Sequence, residues 1–286
     1  MTGVPSATLT LARGIAPTSA ARWAKLRVRL CYLFRHQRFA NLAKPSTFTE
    51  LVQRRKLESR DQRMVTLADK LAAKSFAAER LGEEWVTPTY WCGTELPAAP
   101  ICPLPFVIKS RHGCNQNIFF RENVDAWPRS REKVKQWLKR PYGRWLDEWI
   151  YANIPRGLLI EPFVSADGHL PIDYKIYTFG GRATHIQVHL DREHKHRWTV
   201  FDRDWRRVSS PVGNSDPLAP STLQQMLAAA EKLGRGFDFV RSDFYEVGGR
   251  PLFGEMTFYP GSGLDKFSPV SLDAELGKLW LEAGGR

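Results

Sequence analysis

The stretch VRSDFYEVGGRPLFGEMTFYPGSG, from Val240 to Gly263, constrains this chain more than any other. Two runs that can alternate their faces flank Gly248-Gly249, a hairpin pattern. The side-chain period of a strand is two, so the register decides which residues share a face. With a three-residue loop, Gly248-Gly249-Arg250, Val247 faces Pro251. Asp243 then lies opposite Glu255, and Arg241 lies opposite Thr257. A two-residue Gly-Gly turn slips the register by one and separates the acids, so the three-residue loop is the expected one. Directly opposed carboxylates repel unless a cation lies between them. Two readings stand: a solvated hairpin with both acids in water, or a site for Mg²⁺. That ion takes one or two carboxylates and completes its shell with phosphate oxygens and water.

The chain has 286 residues, 43% apolar and 25% charged, enough to bury a substantial core. It contains no apolar run long enough to span a bilayer. The first twenty residues lack the basic-then-apolar order of a secretory signal, so a cytoplasmic location is expected. Cys31, Cys92, Cys102 and Cys114 form no CxxC pair, which points to reduced thiols rather than a disulfide framework or a zinc site.

The net charge of +12 is uneven. Residues 1–44 hold eight Lys/Arg and no acid, or +8; the remainder carries 34 bases against 30 acids, or +4. Within this segment Arg22, Lys25, Arg27, Arg29, Arg35 and Arg38 interleave with Trp23, Leu26, Leu30, Leu33, Phe34 and Phe39. Such a basic amphipathic stretch suits the anionic inner membrane face, an acidic polymer, or a helix packed on the main body. No nucleic-acid motif accompanies it, and nucleic acid is not an expected partner.

Residues 61–81 have helical spacing, as do 130–140 and the terminal SLDAELGKLWLEAG. Ser221 and Gln224 form a capping-box pattern ahead of a further helix that stops near Gly234. FVIKS (106–110), the loop RHGCNQN and IFF read as a hairpin, and so do DYKIYTF and RATHIQVHLD around Gly180-Gly181. Strands and helices mix without strict alternation, which indicates an α+β architecture.

Several stretches carry chemistry beside their plainer readings. Lys109 ends an apolar strand before a loop containing Gly113, a place from which a lysine can grip phosphates; an exposed strand-end lysine is the plain alternative. GLLIEPFV leads a strand into a linker at Glu161, offering backbone groups of the kind that pair with an adenine edge. Asp173 and Lys175 share a strand face, suiting ribose and phosphate, or else a cross-strand ion pair of little worth. Asp202 and Asp204 hint at a sugar-nucleotide glycosyltransferase, although a strand-end acid pair explains them more simply.

In this order, the segments resemble the ATP-grasp fold, and more narrowly the TupA-like ATP-grasp family of bacterial polysaccharide gene clusters. The resemblance runs from about Pro45 to Leu281 through PSTFTE, LADKLAAK, FVIKSRHGCNQNI, EWIYANIPRGLLIEPFV, DYKIYTFGGR, VFDRDW and the Val240–Gly263 stretch, ending in ELGKLW. It implies two α+β lobes gripping ATP: residues 45–160 with the first lobe and 161–286 as the second, after a basic segment at 1–44. It implies that Lys109 binds the α- and β-phosphates and that His112 and Gly113 form a flap over them. Glu161, Pro162, Phe163 and Val164 would be the adenine hinge, Asp173 would face the ribose, and Lys175 the phosphates. Asp243 and Glu255 would hold Mg²⁺, and Arg241 would stabilise the transferring phosphoryl group or the acyl oxyanion. Asp69, Lys70 and Lys74 lie in a similar stretch but receive no role.

The implied activity is an ADP-forming carboxylate–amine ligase acting through an acyl phosphate. Its partners would be an amine or amino acid and an acidic glycan or sugar carboxylate of a capsule-type polysaccharide. A kinase for a sugar hydroxyl is the alternative. His185, His189, Asp191, Arg192 and His194 are candidates for substrate contact.

Overall fold

The computed structural model describes residues 19–165, 168–211 and 215–285. Four helices come first: α1 (Ser19–His36), α2 (Phe48–Glu58), α3 (Gln62–Ala68) and α4 (Lys70–Leu81). The segment PSTFTE starts α2 because it contains a reciprocal cap. Thr47 Oγ1 accepts from Glu50 N at 3.4 Å, and the Glu50 carboxylate accepts from Thr47 N at 3.4 Å. Residues 61–81 form two helices rather than one. Asp69 is extended (φ −74°, ψ 118°) and its side chain caps α4 by accepting from Leu71 N at 3.1 Å. The same carboxylate accepts from Arg111 Nε at 2.6 Å, and this tertiary ion pair favours the break that helical spacing alone does not show.

The smaller sheet has the order β1-β4-β2-β3, all antiparallel, from β1 (Trp91–Gly93), β2 (Phe106–Ser110), β3 (Asn117–Phe120) and β4 (Leu158–Pro162). Helices α5 (Trp127–Lys139) and α6 (Trp149–Asn153) lie between its strands in sequence. The larger sheet has the order β7-β6-β5-β8-β9, from β5 (Asp173–Phe179), β6 (Arg182–Leu190), β7 (Arg197–Asp202), β8 (Phe239–Val247) and β9 (Arg250–Thr257). Helix α7 (Leu223–Gly234) and helix α8 (Ser271–Glu282) complete it.

The main core belongs to the larger sheet and draws on both ends of the chain. Phe48 of α2 packs among Tyr177, Phe179, Phe239, Phe267 and Trp280. Met64, Leu67, Ala73 and Ala77 join the same core, so residues 48–77 belong with the larger sheet although they precede the smaller one. The small sheet has its own core around Phe106, Phe120, Trp127 and Ile160.

Helix α7 also differs in detail from its expectation. Its N-cap is Thr222, with no side-chain cap, so the Ser221–Gln224 box does not form. Instead Glu246 of β8 accepts from Thr222 N at 2.8 Å and Thr222 Oγ1 at 2.6 Å. All four cysteines are free thiols, in line with the sequence reading.

The β8–β9 hairpin corrects the expected loop while keeping its consequence. Val247 pairs with Arg250, so the turn has two residues, Gly248 and Gly249, at φ +58° and +69°. That double left-handed turn is the one whose twist matches a hairpin. It would separate the acids, but the register shifts between Phe244–Phe253 and Asp243–Glu255, leaving Gly254 as the extra residue of a bulge. Asp243 consequently faces Glu255, and Arg241 faces Thr257. A Cβ on Gly254 would lie 3.1 Å from the Asp243 carbonyl oxygen, so a residue without one suits that close approach.

Candidate functional site

A cleft of about 670 Å³ lies between the two sheets. Lys109, Glu161, Pro162, Phe163 and Val164 line it from the small sheet and the segment that follows β4. Asp173, Lys175, His189, Arg192, Arg241, Glu255 and Thr257 line it from the large one.

On the small-sheet side, Lys109 Nζ is 2.7 Å from Glu161 Oε2, while Lys74 of α4 bonds the other carboxylate oxygen. Lys74 Nζ also donates to Thr89 Oγ1 at 2.8 Å. Burial pushes the Glu161 carboxyl up, but the two ammonium groups outweigh it and hold its pKa below the ordinary value. Lys74 thus enters the cleft as a second basic group beside the glutamate. The residue was visible in the sequence; its partner, 87 positions away, was not.

The chain then leaves the sheet. Phe163 N donates to Pro105 O at 3.0 Å. The Phe163 ring packs edge-on to Phe119, with the Arg121 guanidinium 4.6 Å above it.

On the large sheet, alternation puts Asp173 and Lys175 of β5 beside Arg241 and Asp243 of β8, with Lys175 opposite Asp243. Lys175 Nζ lies 2.7 Å from Asp173 Oδ2 and 2.5 Å from Asp243 Oδ2. Arg241 binds Asp243 bidentately at 2.7 and 2.8 Å, reaches Thr257 Oγ1 at 3.3 Å, and comes within 4.0 Å of Glu255. Burial lowers the Lys175 pKa, but Asp173 and Asp243 outweigh it and the ammonium is held. Arg241 behaves likewise, with Asp243 dominating. Arg192 Nη1 approaches Asp173 Oδ2 at 3.3 Å, yet Asp173 Oδ1 is buried with no hydrogen-bond partner among the described residues. An acceptor left open in this way suits a ligand hydroxyl.

Asp243 and Glu255 share one face at paired positions. Among the described residues no group of three His, Cys, Asp or Glu side chains is placed to hold a metal. The protein therefore offers two carboxylates at most. That donor set fits Mg²⁺ completed by phosphate and water, and does not fit an all-protein cage.

Other expected residues fall outside the cleft. His112 is buried, and its Nε2 lies 3.1 Å from the Trp137 carbonyl. Gly113 does not line the cleft either; its carbonyl accepts from Lys70. Cys114, Asn115 and Asn117 of the same loop do line it. Asp191 pairs with Arg197 at 2.9 Å and also lies outside, as does His194. His185 sits in a separate groove, 3.5 Å from Glu275. Asp202 caps a turn by accepting from Asp204 N and Arg206 N at 2.9 and 2.8 Å, the plain reading of that acid pair. Within the cleft, His189 Nδ1 contacts His196 Nε2 at 2.9 Å. Burial, then Lys175 and Arg241, press its pKa far below the ordinary range, so it is a neutral ring.

The family model described as TupA-like ATPgrasp matches residues 50–281, and the chain belongs to that family. No curated protein matches the sequence. Among solved structures, D-alanine–D-alanine ligase from Bacillus anthracis complexed with ATP aligns at 16% identity and TM-score 0.47, covering 76% of this chain and 63% of that one. L-amino acid ligase from Bacillus licheniformis aligns at 12% identity and TM-score 0.41, with 76% and 44% covered. The ATP-grasp ligase PsnB, complexed with a minimal precursor, aligns at 10% identity and TM-score 0.43, with 77% and 62% covered. The chain thus spans less than two thirds of the length of each of these three. No helix among the described residues is long and apolar enough to cross a membrane.

Proposed function

We propose that the protein is an ATP-dependent carboxylate–amine ligase that joins an amine or amino acid to an acidic sugar of a bacterial surface polysaccharide. The observation that carries this reading is the charge layout of the cleft. Asp243 and Glu255 are paired beside Lys175 and Arg241 on one sheet, while Lys109 projects from the other. Bound Mg²⁺ would neutralise the phosphates. Lys109 and Lys175 would exchange their carboxylate partners for phosphate oxygens. Arg241, fixed by Asp243 and Thr257, would face the charge that develops as the γ-phosphoryl moves. Pro162 to Val164 would border the base, and Asp173 would accept from the ribose. His189 and Arg192 would lie at that same end. The chemistry is attack of the substrate carboxylate on the γ-phosphorus of ATP, releasing ADP and giving an acyl phosphate, and then attack of the neutral amine on the acyl carbon, releasing phosphate and a proton. The chain's part is positioning and exclusion of water.

Saturating Mg·ATP about 100-fold over Kd should stabilise the wild type by roughly 2.7 kcal/mol in thermal unfolding. Asp243→Asn with Glu255→Gln should lose that shift. No shift in the wild type would end the nucleotide reading. Hydroxylamine then separates the chemistries: a hydroxamate formed with glucuronate or galacturonate marks an acyl phosphate, whereas a sugar phosphate marks a kinase.

The amphipathic segment supports a place at the inner membrane face. On α1, Trp23, Leu26, Leu30 and Phe34 follow helical spacing and stay exposed, Phe34 by 84%, while Val28 and Tyr32 pack inward. Arg22, Lys25 and Arg29 are exposed beside that stripe. The expected result is sedimentation with phosphatidylglycerol vesicles but not with phosphatidylcholine vesicles, lost in Leu30→Glu with Phe34→Glu. Equal sedimentation of that variant would remove the stripe from the account. Residues 1–18 lie outside the described residues.

A further inference from the structure

We propose that the part of the cleft walled by Tyr142, Glu148, Tyr151, Tyr259 and Asp265 is a subsite for a cationic amine whose ammonium group is held by Glu148. This deepens the ligase reading and rests on it for the identity of the reaction.

The charged residues of the cleft divide into those that are paired and those that are not. Its basic lining residues, Lys74, Lys109, Lys175, Arg192 and Arg241, engage Glu161, Asp173 and Asp243. Glu148 and Asp265 also line the cleft outside those pairs. Glu148 bonds Ser262 and feels the Lys56 ammonium without touching it. Glu148 lines both the cleft and the neighbouring cavity, whereas Lys56 lines only the neighbouring cavity. Its ammonium is spent on Ser262, donating to the carbonyl at 3.1 Å and to Oγ at 3.0 Å. A buried carboxylate without a direct cation is costly and invites one from a ligand.

Three tyrosines line the same wall. Tyr142 meets Tyr151 edge-on at 5.5 Å between ring centroids, and Tyr151 meets Tyr259 at 6.4 Å. Burial raises all three phenol pKa values, so the hydroxyls remain neutral. Aromatic rings around a carboxylate suit an ammonium group. Tyr259 is 2% exposed, and its hydroxyl and the Trp149 indole N–H meet outside full hydrogen-bond geometry. The hydroxyl oxygen keeps a lone pair for a ligand N–H.

The wall is also rigid. Gly261, Ser262 and Gly263 take φ values of +51°, +56° and +66°, and Ser262 occupies a region that side chains disfavour. Gln53 Nε2 holds the Ser262 and Gly263 carbonyls at 2.8 and 3.0 Å. Strain of this kind persists where neighbours over-determine it and gathers at ligand sites. Burial, opposed by Lys56 and Ser262, also raises the Glu148 carboxyl to about 7, the state of an acid awaiting a counter-charge. The charges of both Glu148 and Glu255 reach Cys114 and Tyr151, so the subsite adjoins the paired carboxylates where the acyl group would form.

Thermal unfolding of the full chain tests this, with the twenty amino acids, ethanolamine and putrescine as probes, each with and without Mg·AMP-PNP. At least one amine should raise the wild-type midpoint by about 2–4 °C. Its N-acetylated form, lacking the cation, should not. Glu148→Gln should abolish the amine shift and keep the nucleotide shift, and Tyr259→Phe should weaken amine binding several-fold. The subsite is overturned if no probe shifts the wild type, if the shift survives in Glu148→Gln, or if the acetylated form stabilises equally. Should Glu148→Gln not fold, the acetylated probe and Tyr259→Phe decide. Loss of the nucleotide shift in the wild type ends the ligase reading instead, and the nucleotide-free arm still reads the subsite.

Discussion

Asp243→Ala should lower the unfolding free energy by about 3–5 kcal/mol, the range for removing one member of a buried ionic cluster. Asp243 is 1% exposed and receives Lys175 at 2.5 Å and Arg241 at 2.7 and 2.8 Å. Truncation leaves two buried cations without their shared acceptor, and Asp173 can compensate only Lys175. Adding Lys175→Met should recover part of the loss, because it removes one of those uncompensated charges. Urea unfolding of both variants measures it. A loss below about 1 kcal/mol, the scale of a surface pair, would mean that the cluster is well hydrated. The cluster is also what aims Arg241, so the most destabilising change falls behind the cleft wall, at a residue that does not itself line the cleft but supports its proposed chemistry.

Arg55→Ala should cost a similar amount, about 3–5 kcal/mol, without touching the cleft. Arg55 is buried on α2, donates to the Phe239 carbonyl at 2.9 Å, and pairs with Asp238 just ahead of β8. Its guanidinium lies 4.1 Å over Trp280, whose indole N–H donates to Asp238 Oδ2 at 2.8 Å. One side chain thus ties α2 and α8 to the start of the strand that carries Arg241 and Asp243. Arg55→Lys should not rescue, since an ammonium lacks the planar fork needed for the carbonyl, the carboxylate and the indole together. Equal midpoints for Arg55→Lys and wild type in thermal unfolding would contradict that account. The expected companion result is retained Mg·ATP binding in whatever fraction folds.

Because Lys109 and Lys175 are neutralised by carboxylates in this structure, an incoming polyphosphate would have to compete with Glu161, Asp173 and Asp243 for its contacts. The acids keep these two lysines in place and neutralised. Preorganisation of this kind limits what binding must spend on ordering long side chains.

What the sequence determined by itself was the alternation of each strand and the residue types it presents. Asp173 with Lys175, and Arg241 with Asp243, share faces because the strand period is two, and no tertiary information is needed for that. The family was also legible in the sequence, and its model matches residues 50–281. The tertiary structure decided how those faces were completed. The hairpin kept its pairing through a two-residue turn and a bulge at Gly254, and turn and bulge together depend on how β9 packs. Lys74 reached Glu161, Asp69 reached Arg111 and Glu246 reached the start of α7 across 24 to 87 positions. His112 turned toward Trp137 while its neighbour Cys114 entered the cleft. Local spacing fixes which way a side chain leaves its own backbone. Which distant group meets it depends on how helices and sheets pack, and that is a property of the whole chain.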